Sequence, residues 1–267
     1  LGIDYAISGY AEDEIAAVFR ELADGQQGPA LRQCRTCPAG RIPAILGPTT
    51  MGAVEISRGC GLGCDFCTIA RTGMSHLTPQ AIERDVRTNI AGGQDNISLL
   101  TEDVFRYGGE GRRANPPALI ALLKQLRQVP CVRLLQADHA NLFSAAQFSD
   151  AELREVRQLL GRRGQKYVWL NIGVETPDGA LLQELGGGAK MGDCRPADWG
   201  DFCHQQLTRL CDAGFLPFVS LLLCCPGQTQ QHIGATSQWL KRFEGMPITF
   251  FPMLLALLGQ RAARRRL

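Results

Sequence analysis

Two kinds of apolar pattern alternate along the chain from residue 53 onward. Short continuous apolar runs predict buried strands at 53–57, 97–101, 132–137, 168–174, 218–223 and 248–254. Between them, apolar residues recur every three or four positions, which predicts amphipathic helices at 79–90, 117–128, 150–162, 201–213 and 230–243. Pro79 and Pro117 suit the first turn of a helix, and Gly214 suits a helix end.

Strands that alternate with helices of this length predict parallel βα units and therefore an α/β fold. Six strands with five intervening helices fit a partial (β/α)6 TIM-like barrel, and an open doubly wound sheet is the competing topology. In a barrel, the chemistry takes place at the carboxyl ends of the strands. The residues that directly follow each strand are therefore the first candidates for a functional site.

A separate βα unit precedes this alternation. Residues 1–8 predict a strand, and an amphipathic helix follows, with Ile15, Val18 and Leu22 on one face and Asp24-Gly25 at its end. Residues 25–50 are rich in Gly, Pro, Gln and Thr and predict a linker. We therefore divide the chain into a βα unit of an upstream α/β domain (1–24), a linker (25–50) and a core (51–267).

Charge and composition narrow the class of protein. The 267-residue chain has a formal net charge of only +2, although four arginines stand among its last seven residues, so nucleic acid is not predicted as the main partner. Its apolar runs are too short for a membrane span. Its 11 cysteines are unevenly spaced and no export signal is evident, which predicts reduced thiols in the cytoplasm rather than a disulfide framework.

Three of these cysteines, Cys60, Cys64 and Cys67, follow the first core strand at CxxxCxxC spacing. The interleaved glycines allow a tight loop, and converging thiolates select an iron–sulfur cluster or zinc. Three ligands leave the fourth iron of a cubane open for another molecule, as catalytic metal sites require. The alternatives are one face of a buried helix, or a zinc site that adds the pair Cys34 and Cys37.

With Phe66 just before the last cysteine, this motif resembles the signature of the radical S-adenosylmethionine (SAM) superfamily. The resemblance implies a partial barrel of radical SAM type that holds a [4Fe–4S] cluster on the three cysteines. It also implies that SAM is cleaved reductively at the cluster to start radical chemistry, with an electron donor such as flavodoxin or ferredoxin. Phe66 would then flank the SAM adenine.

The resemblance extends to the ends of later strands. Glu102 and Asp103 stand where the family places polar residues near the SAM amino group, although a solvated loop is equally consistent with them. Glu175 ends the run Asn171-Ile-Gly-Val-Glu and matches the family's ribose-binding position. Pro226-Gly-Gln-Thr229 resembles the family's PG(E/Q)T turn. Asp138 and His139 also end a strand, and we expect them to form a surface turn.

The amino-terminal βα unit resembles the end of a cobalamin-binding domain found in some radical SAM enzymes. This suggests a cobalamin-associated methylase or related enzyme acting on a small molecule or on another substrate that the sequence does not reveal, with cobalamin held by the full-length protein. The alternatives are a methylthiotransferase-like radical SAM enzyme and a non-catalytic zinc-binding protein. We also expect the natural protein to extend in both directions, which would leave Phe250, Phe251, Leu254 and Leu255 without cover here and the fragment prone to aggregate.

Overall fold

The computed structural model of the chain describes residues 5–26, 31–34 and 37–255. In this part of the chain the helices are α1 Ile15–Ala23, α2 Pro79–Ala91, α3 Pro116–Arg127, α4 Leu142–Ala145, α5 Asp150–Leu159, α6 Gly179–Glu184, α7 Trp199–Asp212 and α8 Gln230–Lys241. The strands are β1 Ala6–Ser8, β2 Leu31–Gln33, β3 Ala53–Glu55, β4 Ser57–Arg58, β5 Ser75–His76, β6 Asn96–Leu100, β7 Leu134–Ala137, β8 His139–Ala140, β9 Val168–Glu175, β10 Phe215–Leu223 and β11 Thr249–Leu254.

Two parallel sheets form the body of the molecule. One has the order β3-β6-β7 and the other the order β8-β9-β10-β11, so within each sheet the strands lie in chain order. Strands β4 and β5, between β3 and β6 in the chain, form a separate antiparallel ladder. Only Asp138 separates β7 from β8, and its carbonyl accepts a hydrogen bond from the Asn171 N–H at 2.9 Å. The prediction of an α/β fold built on parallel strands is confirmed.

Local sequence signals explain where the helices begin. The Thr78 side chain accepts a hydrogen bond from the Ala81 N–H at the start of α2, and Asn115 does the same for Ala118 at the start of α3. Ser149 and Glu152 form a capping box at α5. This last helix ends three residues before its predicted limit, because Gly161 pairs with Leu135 at the edge of β7 instead.

The core lies between the strands and the helices that cover one side of them. Ile97, Leu99 and Leu135 on the strands are at most 1% exposed and pack in the same cluster as Leu119 and Leu123 of α3. Edge-to-face aromatic contacts extend this cluster around Phe105, whose ring centroid is 5.0 Å from that of Phe148 and 6.3 Å from that of Phe215. No helix in the described ranges is long and apolar enough to cross a membrane.

The segment predicted as a linker contains a short strand. Residues 31–33 form β2, which pairs in parallel with β1 and so completes a small βαβ unit around α1. Turn-forming residues on both sides conceal so short a strand in the sequence. This amino-terminal unit contacts the core, since the Glu12 carboxylate lies 2.7 Å from the Arg58 guanidinium and the Tyr10 ring stacks on the same group at 4.0 Å.

The expected lack of cover on the last strand is only partly found. Phe250 packs against Trp239 of α8 and against Phe243, with ring centroids 5.6 Å and 5.0 Å away, and Leu255 joins a small cluster of buried residues. Helix α8 therefore covers Phe250, one of the four residues that we expected to be without cover. Leu254 is 72% exposed, as expected. The arginine cluster after it lies outside the described residues.

Candidate active site at the carboxyl ends of the strands

The loop that carries the three cysteines is closed at its base by a short antiparallel ladder. Strand β4, directly before the loop, pairs with β5, directly after it. Within the loop, the Cys60 N–H donates to the Thr72 carbonyl at 2.9 Å and the Gly63 N–H donates to Ala70 at 2.8 Å. Gly59 has φ 80° and a side chain there would lie 2.5 Å from the Gly73 carbonyl oxygen, so the turn into the loop requires glycine.

All seven residues singled out from the sequence line one cavity of about 410 Å³. It opens at the carboxyl ends of the parallel strands, where the barrel hypothesis placed the chemistry. The sequence-derived members are Cys60, Cys64, Phe66, Cys67, Glu102, Asp103 and Glu175. Other polar residues share the cavity, among them His139, Asn141, Asn171, Lys190 and Ser220. His139, expected to be part of a surface turn, thus also faces the site.

The donor set of the cysteines fits a cluster better than a single ion. In the part of the chain that the structure describes, no three Cys, His, Asp or Glu side chains are gathered tightly enough to hold one metal ion. Mononuclear zinc needs all its sulfurs about 2.3 Å from a common centre. A [4Fe–4S] cluster instead meets each thiolate through a different iron, so it needs three thiols that share a cavity.

The alternative zinc site with Cys34 and Cys37 is not assembled among these residues. Burial raises the pKa of the Cys64 thiol to about 11, against the opposing effect of Lys190, so this sulfur ionises when a metal takes the place of its proton.

Glu175 stands at the end of β9 in an unusual conformation. Its φ is 67°, in the left-handed region, and the residue is only 7% exposed. The pairing of β9 with β10 shifts at this point, where Leu221 lies opposite Glu175. Non-glycine residues in this region carry strain of about 1–3 kcal/mol and concentrate at functional sites. The bulge directs the carboxylate into the cavity.

Lys190 is the main site residue that the sequence did not reveal. Its ammonium pairs with the Glu175 carboxylate, directly above Gly173, where any Cβ would lie 2.3 Å from the Glu175 Oε1 atom. Burial opposes the charge on Lys190, but Glu175 and the nearby Cys64 outweigh it and raise the pKa of the lysine. A single lysine after a glycine-rich loop carries no pattern, so only the fold identifies it.

Asp103 is buried and its carboxylate is already fully engaged. Oδ2 accepts from the Arg106 Nε at 3.0 Å and from the Ser144 hydroxyl at 2.6 Å, and Oδ1 accepts from the Asn141 N–H at 3.2 Å. Burial raises the pKa of this carboxyl, and these partners counter the effect. Its neighbour Glu102 also lines the cavity but makes no hydrogen bond or ion pair within the described ranges, so its carboxylate is the freer of the two.

The remaining sequence motifs take their places around this cavity. Phe66 packs against the small apolar cluster of Leu181, Leu185, Leu222 and Cys225. Thr229, at the end of the Pro-Gly-Gln-Thr turn, caps α8.

Of the cysteines outside the motif, Cys203, Cys211 and Cys225 are buried as small packing residues. Cys131 and Cys224 are exposed.

No family model matches the chain. The ribosomal protein uS12 methylthiotransferase RimO of Desulfotalea psychrophila is 24% identical over 197 residues, which cover 70% of this chain and 39% of that protein. The tRNA-2-methylthio-N(6)-dimethylallyladenosine synthase of Roseiflexus sp. is 26% identical over 259 residues, which cover 93% of this chain and 48% of that protein. The chain thus spans less than half the length of these curated relatives.

Solved structures of TsrM, a radical SAM methyltransferase from Kitasatospora setae, resemble the chain in fold. One, with a tryptophan substrate and a SAM analogue bound, has a TM-score of 0.54 at 14% identity, covering 74% of this chain and 35% of TsrM. Another, with cobalamin and a [4Fe–4S] cluster bound, has the same TM-score over 75% of this chain. At this identity the likeness concerns the fold alone.

Proposed function

We propose that this chain, which belongs to the radical SAM superfamily, holds a [4Fe–4S] cluster through Cys60, Cys64 and Cys67 and reductively cleaves SAM. The observation that carries the proposal is the convergence of these three thiols with Glu175 on one cavity at the carboxyl ends of the strands. Three protein ligands leave one iron open for the amino and carboxylate groups of SAM. When bound, the cluster supplies the electron for the cleavage.

Different residues around the thiols bind different parts of SAM. Glu175 accepts hydrogen bonds from the ribose hydroxyls, and Lys190 holds its carboxylate in place. Phe66 offers an apolar face to the adenine. Glu102, whose carboxylate is free in the described structure, receives the SAM amino group. Lys190 also places a positive charge next to Cys64, where it offsets thiolate charge.

We infer that the six main parallel strands curve into one partial barrel. The two sheets contain seven strands, of which β7 and β8 are separated only by Asp138 and share one position. The six positions, β3, β6, β7–β8, β9, β10 and β11, therefore follow the chain in order. Residues from both sheets line the same cavity. In a flat sheet these residues would instead be spread along one edge. Residues 51–267 would form this core. The amino-terminal α/β unit, predicted at 1–24, would extend into the predicted linker 25–50 as far as β2, which pairs with β1.

The reaction that follows SAM cleavage has two candidates. A cobalamin-associated methylation is favoured by the amino-terminal βαβ unit, whose parallel strands β1 and β2 suit a larger α/β domain that would hold cobalamin in the full-length protein. A methylthio transfer is favoured by the similarity of the chain to a ribosomal protein methylthiotransferase and to a tRNA 2-methylthio-adenosine synthase. In both cases we propose a cytoplasmic enzyme supplied with electrons by a flavodoxin or ferredoxin.

The proposal is tested by product formation. The chain, reconstituted anaerobically with iron and sulfide and reduced with dithionite, should convert SAM to methionine and 5′-deoxyadenosine. Cys64→Ala should abolish the conversion, and Cys131→Ala, which changes an exposed cysteine outside the cavity, should leave it intact. Equal conversion by the two variants would refute the assignment.

A further inference from the structure

Arg106 is a buried cation that the sequence analysis did not single out. The residue is 3% exposed, and it lies three positions after Asp103, in the segment that follows β6. Its guanidinium uses each nitrogen: Nε donates to the Asp103 carboxylate at 3.0 Å, Nη1 to the Gly111 carbonyl at 3.0 Å and Nη2 to the Cys60 carbonyl at 2.7 Å. A buried arginine so fully engaged fixes the groups around it.

The same Nη2 atom lies 3.6 Å from the Cys60 sulfur, within reach of an N–H to sulfur hydrogen bond. Cys60 is thus held through both its backbone carbonyl and its thiol. Asp103 orients the guanidinium for this contact, and Ser144 and Asn141 orient Asp103 in turn. The chain of contacts runs from α4, through the segment after β6, to the first cysteine of the motif.

We propose that Arg106 and Asp103 form a positioning pair that fixes the Cys60 end of the cysteine loop and raises the reduction potential of the cluster. The inference rests on the proposed function, because it assigns Cys60 to a cluster. The ion pair is neutral as a whole, but its guanidinium rather than its carboxylate contacts the Cys60 sulfur. The positive end of the pair and its N–H donor therefore stabilise the reduced, more negative state of a cluster at that sulfur. Asp103 therefore positions Cys60 through Arg106, rather than contacting SAM.

The first part of the test uses the chain without any cluster. Arg106→Met should speed amide hydrogen exchange at Cys60 and Gly63 by about tenfold or more, because the loop loses a charge-assisted hydrogen bond. Arg127→Met is the matched control. Arg127 is less buried than Arg106 but is likewise bonded to backbone carbonyls, those of Leu159 and Gly161, and it does not line the cavity. Its loss should leave exchange in the cysteine loop unchanged.

The second part measures the midpoint potential of the reconstituted cluster. Arg106→Met should shift it to a more negative value, Arg106→Lys should restore part of the shift because the charge remains, and Arg127→Met should have no effect. Ser144→Ala, which removes one hydrogen bond to Asp103, should shift exchange and potential in the same directions by a smaller amount. It also serves as the test variant if Arg106→Met does not fold.

Unchanged exchange at Cys60 in both Arg106→Met and Ser144→Ala would overturn the positioning role. Unchanged potential in the same variants would overturn the electrostatic role. Failure of the proposed function has a different signature, since the unaltered chain would then take up no cluster at all. The exchange experiment would still decide the positioning role in that case, because it needs no cluster.

Discussion

Glu175 is a strained residue that ends β9 and places its carboxylate in the proposed SAM site. Its left-handed φ of 67° is stabilised by the ion pair with Lys190 and by the absence of a side chain at Gly173. In a regular strand Glu175 would share a face with Asn171 and Gly173, which line the same cavity, so the strained conformation adjusts the direction of the carboxylate rather than its side of β9. Strand β9 ends with this carboxylate inside the cavity rather than in solvent.

Glu175→Gln should weaken SAM binding while the cluster still forms. The loss of a charged acceptor for the ribose hydroxyls is worth about 1.5–3 kcal/mol, or roughly ten- to a hundredfold in the dissociation constant. Equilibrium binding of SAM to the reconstituted chain measures this. The control is Glu155→Gln on α5, which breaks an exposed ion pair with Lys124 of α3 and should bind SAM normally. An unchanged dissociation constant for Glu175→Gln would show that this residue does not bind SAM and has only a structural role.

Single replacement of Cys60, Cys64 or Cys67 by Ala should remove most of the iron from the reconstituted chain. Each cysteine supplies one of only three protein ligands, so no remaining thiol substitutes for it. Iron and sulfide analysis after desalting measures the loss. Cys131→Ala and Cys211→Ala, which lie outside the cavity lining, should retain iron at the level of the unaltered chain. Full iron in Cys64→Ala would show that the ligands are misassigned.

At the scale of elements, the cysteine loop depends on its glycine turn. Gly59→Ala would place a Cβ 2.5 Å from one backbone carbonyl oxygen and 2.8 Å from another, in a left-handed conformation. We expect the loop to shift and the chain to lose most of its cluster iron while the circular dichroism of the fold is retained.

Gly93 offers a matched control for this change. It has φ +86°, but a Cβ there would meet nothing within 4 Å. Gly93→Ala should therefore cost only the left-handed strain of about 1 kcal/mol and leave the iron content unaltered. Equal iron contents in Gly59→Ala and Gly93→Ala would contradict the close approach described for the loop.

The regular elements followed from the sequence because their signals are local. Apolar periodicity and the caps at Thr78, Asn115 and Ser149 depend on neighbouring residues alone. The place of the motif cysteines and of Glu175 at one cavity also followed from the sequence, because the motif lies in the loop after an early strand and Glu175 ends a later one. Lys190 and Arg106 were missed because their roles arise from contacts with residues 15 and 46 positions away, which leave no pattern. The short strand β2 was missed because it owes its existence to pairing with β1.

At the scale of the whole molecule, Arg58 connects the amino-terminal unit to the core just before the cysteine loop. Its guanidinium, 6% exposed, pairs with Glu12 at 2.7 Å and with Glu55 at 2.6 Å, and it stacks on Tyr10. The first of these contacts joins the two parts of the chain. The position of the amino-terminal unit is thereby tied to the strand that leads into the proposed cluster site.

Arg58→Met should therefore destabilise the chain and loosen the amino-terminal unit. Removing one partner of a buried ion pair costs up to about 3–5 kcal/mol, and less here because both carboxylates remain partly in water. Urea denaturation measures the loss, and faster hydrogen exchange over α1 locates it. Arg154→Met, on the exposed face of α5, is the control and should be near neutral. Unchanged exchange in α1 would show that Arg58 does not join the two parts.

The central claim is that three cysteines hold a cluster with one iron open to SAM. Electron paramagnetic resonance of the reconstituted, dithionite-reduced chain, recorded before and after addition of SAM, tests it most directly. We expect four irons per chain and a reduced-cluster signal that SAM changes, with both lost in Cys64→Ala. A colourless protein with stoichiometric zinc, or a cluster signal that saturating SAM leaves unaltered, would contradict it.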